Sequence, residues 1–175
     1  MNFNFQKITV VALTSLLVTC VQVQVIAVDF MKWHKMTLDF EGPYHKESDN
    51  SPNPFMNYRL NVTFTNGEKS YKVPGYFAAD GNAAESSATA GNIWRVHFSP
   101  DEIGVWEYVV SFRKGEAIAI NDNPLVGQPI VGVEGLAGTF NVVASDKTGN
   151  DYRAKGRLKV VGGRYLQFSE TGEYF

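Results

Sequence analysis

Cysteine is almost absent from this sequence, with Cys20 as the one thiol among 175 residues. No disulfide can form within the chain, and a zinc site built from several thiolates is excluded. Long runs of positive charge are also missing, since no stretch of Lys and Arg exceeds two residues and the formal net charge is −2. The sequence therefore lacks the basic surface typical of proteins that bind nucleic acids or anionic membranes.

Proline and glycine, with 7 and 16 residues respectively, are too few for a collagen-like or low-complexity chain. Aromatic residues are plentiful at 13% of the sequence. Side chains of this kind bury enough apolar area to offset the conformational entropy lost on folding. We therefore expect a folded domain of ordinary size with a short remainder.

The N-terminal segment has the pattern of a secretory signal peptide. Lys7 precedes a run of fourteen uncharged, mostly apolar residues, Ile8–Val21, which is short for a membrane span. We predict a signal peptide at residues 1–27, cleaved after Ala27. The mature protein would be secreted or periplasmic and would have no stable association with a membrane.

Two alternatives to cleavage after Ala27 stay open. A lipoprotein would be anchored through Cys20, but Thr19 is an unfavourable residue before such a cysteine. An uncleaved anchor would place Gln22 and Gln24 in the membrane, where amides are costly.

From Trp33 onward, apolar and polar residues alternate with a period of two, which predicts half-buried strands. Asn66-Gly67 predicts a hairpin turn, and Pro74-Gly75 should end or bulge the returning strand. PIVGV (129–133) is a weaker strand candidate, and residues 81–92 read as a loop. The positions expected to face inward are Met36, Leu38, Phe40, Tyr58, Leu60, Val62, Phe64, Trp94, Val96, Phe98, Trp106, Tyr108, Val110, Phe112, Phe140 and Val142.

About seven short strands without a convincing helix predict an all-β fold, an antiparallel β-sandwich over residues 28–145. The stretch Asp101–Tyr108 favours the immunoglobulin-like type. Trp106 occupies the place of the aromatic residue at the corner before the penultimate strand, and Tyr108 occupies the place of the cysteine in antibody domains.

Several motifs in order carry a resemblance to a known family: WHKMTLDFEGP, NPFMNYRLNVTFTNG, VPGYFAADGNAAE, GNIWRVHFSPDEIGVWEYVVSFRKG and DKTGNDYRAKGRLKVVGGRYLQFSETGEYF. Together they resemble the N-terminal domain-of-unknown-function family of bacterial secreted enzymes. In that family an immunoglobulin-like domain precedes a TIM barrel assigned to glycoside hydrolases, some of them similar to apiosidases. The resemblance spans residues 33–175 and implies a non-catalytic accessory module whose partner is the catalytic barrel of the same polypeptide.

The C-terminal residues 146–175 fit this implication. A polar stretch after Ala144 resembles a linker, and Gly162-Gly163 lies between apolar residues as a second hairpin signal. The apolar run that ends at Phe175 suggests a chain cut where the next domain begins. We therefore expect a linker and a β-hairpin that lead into a missing hydrolase-like barrel.

Catalytic, cofactor and metal motifs are absent from the sequence. The three histidines, His34, His45 and His97, have no second ligand at metal-binding spacing. Five acids lie in turns, where a short acid commonly caps backbone amides: Asp49, Asp80, Asp101, Glu102 and Asp122. We expect no enzymatic activity, no cofactor and no metal for these residues. A calcium site between loops 78–82 and 121–123 is an alternative, but only two carboxylates are available there.

Four aromatic residues do not fall on the alternating strand positions that are expected to face the core: Trp33, Tyr44, Tyr76 and Phe77. Such residues contact sugar rings or a neighbouring domain, or are simply buried locally. Three functions remain open: an accessory module on a hydrolase barrel, a carbohydrate-binding module that holds a polysaccharide, and a free-standing extracellular interaction domain. The polar outer faces of the strands favour domain packing over sugar stacking.

Overall fold

The structure is a computed structural model that describes residues 23–26 and 28–175. Most of the predicted signal peptide, including Cys20 and Ala27, lies outside these residues. The described chain forms two packed β-sheets and a separate β-hairpin. The predicted all-β sandwich is therefore confirmed.

The structure contains twelve strands within the described residues. They are β1 (Val23–Val25), β2 (Phe30–Met31), β3 (Met36–Lys46), β4 (Tyr58–Asn66), β5 (Lys69–Pro74), β6 (Tyr76–Phe77), β7 (Ala90–Phe98), β8 (Gly104–Lys114), β9 (Gln128–Pro129), β10 (Ala137–Val143), β11 (Leu158–Val161) and β12 (Tyr165–Phe168). Two short helices, α1 (Ala83–Ser86) and α2 (Tyr152–Lys155), and a 3₁₀ turn (Ile118–Ile120) complete the elements.

The larger sheet has the order β1-β10-β8-β4-β5, with β2 also paired to β10 and β9 to β8. The smaller sheet has the order β3-β7-β6, and β11 pairs with β12 in a two-stranded sheet. Both N-terminal strands run parallel to β10, with Val23 opposite Ala137 and Phe30 opposite Val142. Cleavage after Ala27 would remove β1 from this edge and leave β2 in place.

Aromatic side chains from the two sheets form the core. Phe64 of β4 stacks on Phe98 of β7 with ring centroids 4.2 Å apart, and Trp94 of β7 lies 4.8 Å from Phe112 of β8. The predicted inward positions are buried, with Leu38 partly so. Period-two patterning identified the core because successive side chains of a strand point to opposite faces.

Trp106 forms the predicted corner. Its side chain is fully buried, and its Nε1 donates a hydrogen bond of 3.0 Å to the backbone oxygen of Glu102. Gly104 between them has a φ of +115°, a conformation that residues with a side chain rarely adopt. This return bond to the preceding turn is the arrangement expected of an immunoglobulin-like corner.

The first hairpin forms with its turn one residue later than Asn66-Gly67. Asn66 pairs with Lys69, so Gly67 and Glu68 make the loop, and only Gly67 has a positive φ. The second hairpin has a three-residue loop, since Val161 pairs with Tyr165.

Two predictions for irregular segments were wrong in part. PIVGV is mostly a turn, since β9 ends at Pro129 and Gly132 has a positive φ. The predicted loop at 81–92 contains α1 and the start of β7, because Ala90 and Gly91 extend the pairing with β3. Neither α1 nor the first two residues of β7 produces an alternating pattern in the sequence.

The chain crosses from one sheet to the other at Gly75. Its backbone N–H donates 2.8 Å to the oxygen of Leu60, and a Cβ atom at this position would lie 2.4 Å from a methyl carbon of Leu60. Only glycine allows this close approach. The crossover separates β5 from β6 and sets the geometry of the site below.

Candidate functional site

The four aromatic residues chosen from the sequence lie in different environments. Tyr44 lies on an irregularity of β3, where the pairing with β7 shifts register between Glu41 and His45. The buried Trp94 occupies the space beside this irregularity and donates from Nε1 to the oxygen of Pro43 at 3.1 Å. Tyr44 is 64% exposed. It contributes to none of the clefts described below.

Trp33 is half-buried and has an unusual positive φ of 66°. It lines a groove of about 420 Å³ together with Tyr71, Asp101 and Arg157. Its Nε1 is buried and has no hydrogen-bond partner among the described residues. Because Arg157 precedes β11, Trp33 lies where the sandwich meets the C-terminal residues.

Asp101 anchors the sandwich side of this groove. One carboxylate oxygen accepts hydrogen bonds from the Tyr71 hydroxyl at 2.7 Å and from Lys69 Nζ at 3.1 Å. Burial alone would raise the pKa of Asp101, but these hydrogen bonds and the charge of Lys69 outweigh it and bring the pKa below its ordinary value. Asp101 is therefore a structural anion of the turn before Trp106.

Tyr76 and Phe77 are adjacent in the sequence, but Tyr76 is exposed and Phe77 is buried. Phe77 is 7% exposed and packs on Trp94, with ring centroids 5.3 Å apart, so its assignment as a surface contact is wrong. The crossover at Gly75 places Phe77 on the inner face of the smaller sheet. Tyr76 is 46% exposed, and its hydroxyl lies 3.0 Å from Nε2 of His97.

A cleft of about 430 Å³ opens where β5 leaves β4. We call it the crossover cleft. It is lined by the exposed rings of Phe55 and Tyr76 and by the polar side chains of Asn61, Lys72 and Asp122. Sequence reasoning missed Phe55 and Lys72 as site residues and considered Asp122 only as a calcium ligand. The three residues lie in a turn, on an edge strand and in a loop that only the tertiary fold brings together.

Two arginines hold the loop that supplies Asp122. Arg59, expected on the polar face of β4, is 9% exposed because this loop covers it. Its guanidinium donates to the backbone oxygens of Asn121 and Pro124. Arg113 donates to the oxygen of Gly127 at 2.7 Å. The loop is thus fixed to the sheet through its carbonyl groups.

The rings of His45 and His97 make hydrogen bonds with neighbouring side chains of the sandwich. His45 is buried on β3, where its ring lies 2.9 Å from the Tyr58 hydroxyl and 3.1 Å from Asp49. His97 lies 2.9 Å from the hydroxyl of Thr37. Burial and the nearby cations of Lys35 and Arg95 lower the pKa of His97.

The loops proposed for calcium do not assemble a ligand set. Asp80 accepts hydrogen bonds from its own loop, at 2.8 Å from the Asn82 N–H and 2.6 Å from the Ser86 hydroxyl, whereas Asp122 lines the crossover cleft. Within residues 23–26 and 28–175, no group of three metal-ligating side chains comes together. Among the same residues, no helix has the length and apolarity needed to cross a membrane.

Residues 151–175 form what we call the C-terminal unit. Phe168 is its buried centre and contacts the rings of Tyr152 at 5.6 Å and Phe175 at 6.0 Å. The unit is tied to the sandwich through polar groups, as in the 2.9 Å ion pair between Lys32 and Glu170. Several of its apolar side chains are exposed: Tyr152, Val160, Tyr165, Tyr174 and Phe175.

Comparison with known proteins bears on the sandwich and on the C-terminal unit. Residues 29–113 match the family model described as a domain of unknown function, DUF5060. No curated protein matches the chain. A solved structure from Bacteroides vulgatus ATCC 8482, reported as a putative glycoside hydrolase, is similar over 88% of this chain, with 23% identity and a TM-score of 0.53. The likeness shows the shared fold, and the chain spans only 21% of that structure's length.

Proposed function

We propose that the chain is the non-catalytic N-terminal accessory module of a secreted bacterial glycoside hydrolase. In this proposal the module packs on a catalytic TIM barrel of the same polypeptide and positions it. The observation that carries the proposal is the exposed apolar surface of the C-terminal unit. The similarity to part of a much longer protein reported as a glycoside hydrolase supports it.

Several apolar side chains of the C-terminal unit are exposed and lie outside its own small core. Val160 is 68% exposed on one face of the hairpin beside its cross-strand partner Leu166, whereas Tyr165 on the other face lines a shallow apolar pocket with Tyr174 and Phe175. Exposed apolar surfaces of this kind mark interaction sites. These side chains stay exposed with the sandwich in place, so they are available to meet another domain.

The carboxyl groups support a non-catalytic role. Glycoside hydrolysis uses a general acid whose pKa is raised and a second carboxylate held close to it. In the described residues, every carboxyl group with a clear shift has its pKa lowered: Asp49, Asp80, Asp101, Asp146 and Asp151. These groups are held as anions by neighbouring donors, which is the opposite of what a general acid needs.

The test compares the 175-residue chain with the complete natural polypeptide. The coding sequence should continue with about 250 residues of alternating strand and helix patterns. In hydrogen exchange, the amides of β11 and β12 should exchange faster than those of β7 in the 175-residue chain and become protected in the complete enzyme.

A matched pair of variants locates the contact. Val160→Lys should change the free energy of unfolding of the 175-residue chain by about 0.5 kcal/mol or less, but should lower the melting temperature of the complete enzyme. Leu125→Lys, at a loop residue that is 80% exposed, is the control and should have no effect in either protein. A stop codon directly after Phe175, or equal protection of β11 and β7 in the short chain, would overturn the proposal.

A further inference from the structure

We propose that the crossover cleft binds a neutral carbohydrate. This inference goes beyond the role of an accessory module and does not depend on it, because a sugar site on the sandwich would act whether or not a hydrolase barrel follows. The argument rests on the exposed rings, their fixed positions and the charge balance of the cleft.

The two aromatic rings at the cleft are exposed without being loose. Phe55 is 52% exposed, yet its ring meets the buried Phe77 edge-to-face at 6.2 Å and 76°. Tyr76 is held at its hydroxyl by His97. Rings fixed in this way lose little conformational freedom when a ligand binds, which favours affinity. Their apolar faces suit the C–H faces of a sugar ring.

The polar side chains of the cleft have hydrogen-bonding capacity to spare. In the part of the chain that the structure describes, the side chains of Asn61, Lys72 and Asp122 make no hydrogen bond or ion pair. Lys72 only donates, Asp122 only accepts, and Asn61 does both. Sugar hydroxyls, which donate and accept, are complementary to all three.

The charges of the cleft select against ionic ligands. Lys72 and Asp122, both exposed, contribute one positive and one negative charge, whereas the positive charge of Arg59 is buried and its guanidinium donates to the loop carbonyls. An anionic sugar would meet Asp122 and a cationic ligand would meet Lys72, so a neutral glycan fits best. The volume of about 430 Å³ lies within the range of small-molecule sites, about 300–1,000 Å³.

The binding test uses the 175-residue chain in affinity gel electrophoresis. The neutral probes are xyloglucan, arabinoxylan, galactomannan and mixed-linkage β-glucan, and polygalacturonate is the acidic comparison. We expect at least one neutral glycan to retard the chain and polygalacturonate to have a weaker effect. Titration calorimetry with the retarding glycan then gives the affinity.

Three variants and one control assign the binding to the cleft. Phe55→Ala and Tyr76→Ala should each weaken binding about tenfold or more, as expected for central aromatic contacts, whereas Tyr76→Phe keeps the ring face and most of the affinity. Tyr44→Ala, which removes an exposed ring outside the cleft, should bind like the parent. Circular dichroism and melting temperature verify that each variant is folded.

Several outcomes would overturn the proposal. These are the absence of retardation by every neutral probe, a preference for polygalacturonate, or equal losses in Tyr44→Ala and Tyr76→Ala with folding intact. None of them touches the proposed contact of Val160 with a barrel, which is measured by stability and hydrogen exchange. The two proposals can therefore fail separately.

Discussion

Trp106 joins the corner turn to the core, and its replacement provides a direct test of the fold. The indole is fully buried, meets Phe98 at 5.2 Å and stacks over Phe140 at 6.5 Å. It also satisfies the backbone oxygen of Glu102. Trp106→Ala removes both the packing and the hydrogen bond, whereas Trp106→Phe retains a ring and removes the bond.

The expected losses differ because the two contributions differ. Truncation of a buried Trp to Ala costs about 3–5 kcal/mol, since a cavity remains between sheets that cannot fully collapse. One hydrogen bond contributes about 0.5–1.5 kcal/mol. Trp106→Phe leaves a smaller cavity and loses the bond, so we expect about 1–3 kcal/mol. A domain with a stability of about 5–15 kcal/mol could be largely unfolded by the alanine variant.

Urea unfolding followed by tryptophan fluorescence and far-ultraviolet circular dichroism measures these losses. Glu107→Gln is the control, because Glu107 is the next residue of β8 and is exposed, and it should change stability by about 0.5 kcal/mol or less. A loss below about 1 kcal/mol for Trp106→Ala would refute the inward placement. Equal losses for the alanine and phenylalanine variants would show that packing is not the larger contribution.

Two further predictions concern pH and export. The pKa of Asp101 is lowered, so its stabilisation is complete above the unfolded-state value of about 3.9 and is lost as the pH falls through the folded-state pKa. Asp101→Asn should therefore cost about 1–3 kcal/mol at pH 7 and much less at pH 2 in urea titrations; equal costs would contradict the ion pair. Intact mass of the exported protein should place its first residue at Val28 and should not change with reductant, whereas a start before Val23 or an acylated Cys20 would exclude that processing.

The sandwich could be predicted because burial on one face imposes a period of two on each strand. This holds even for β8, where Trp106, Tyr108 and Phe112 follow one parity and are all buried. The pattern carries no information where the chain changes sheet. Phe77 was therefore misplaced, since its orientation follows from the close approach of Gly75 to Leu60.

The crossover cleft could be predicted only in part, for a related reason. Tyr76 stood out because it breaks the alternation, but Phe55 follows a proline in a turn and Asp122 lies in a polar loop. Their proximity depends on Arg59, whose guanidinium binds the loop carbonyls from the face of β4 that reads as solvent-exposed. Contacts between a strand face and a distant loop do not produce a periodic pattern in the sequence.

Stability and the proposed binding surfaces therefore depend on different residues, which makes the variants separable. Loss of Trp106 opens the core and should abolish every property of the module together. Loss of Phe55 removes a ring that is more than half exposed, so sugar binding should fall while the unfolding transition stays near that of the parent. Val160 lies in the separate hairpin, and its substitution should affect only the complete enzyme. A variant of Phe55 that unfolds the sandwich would show that its ring belongs to the core, and the cleft would lose the aromatic wall on which sugar binding depends.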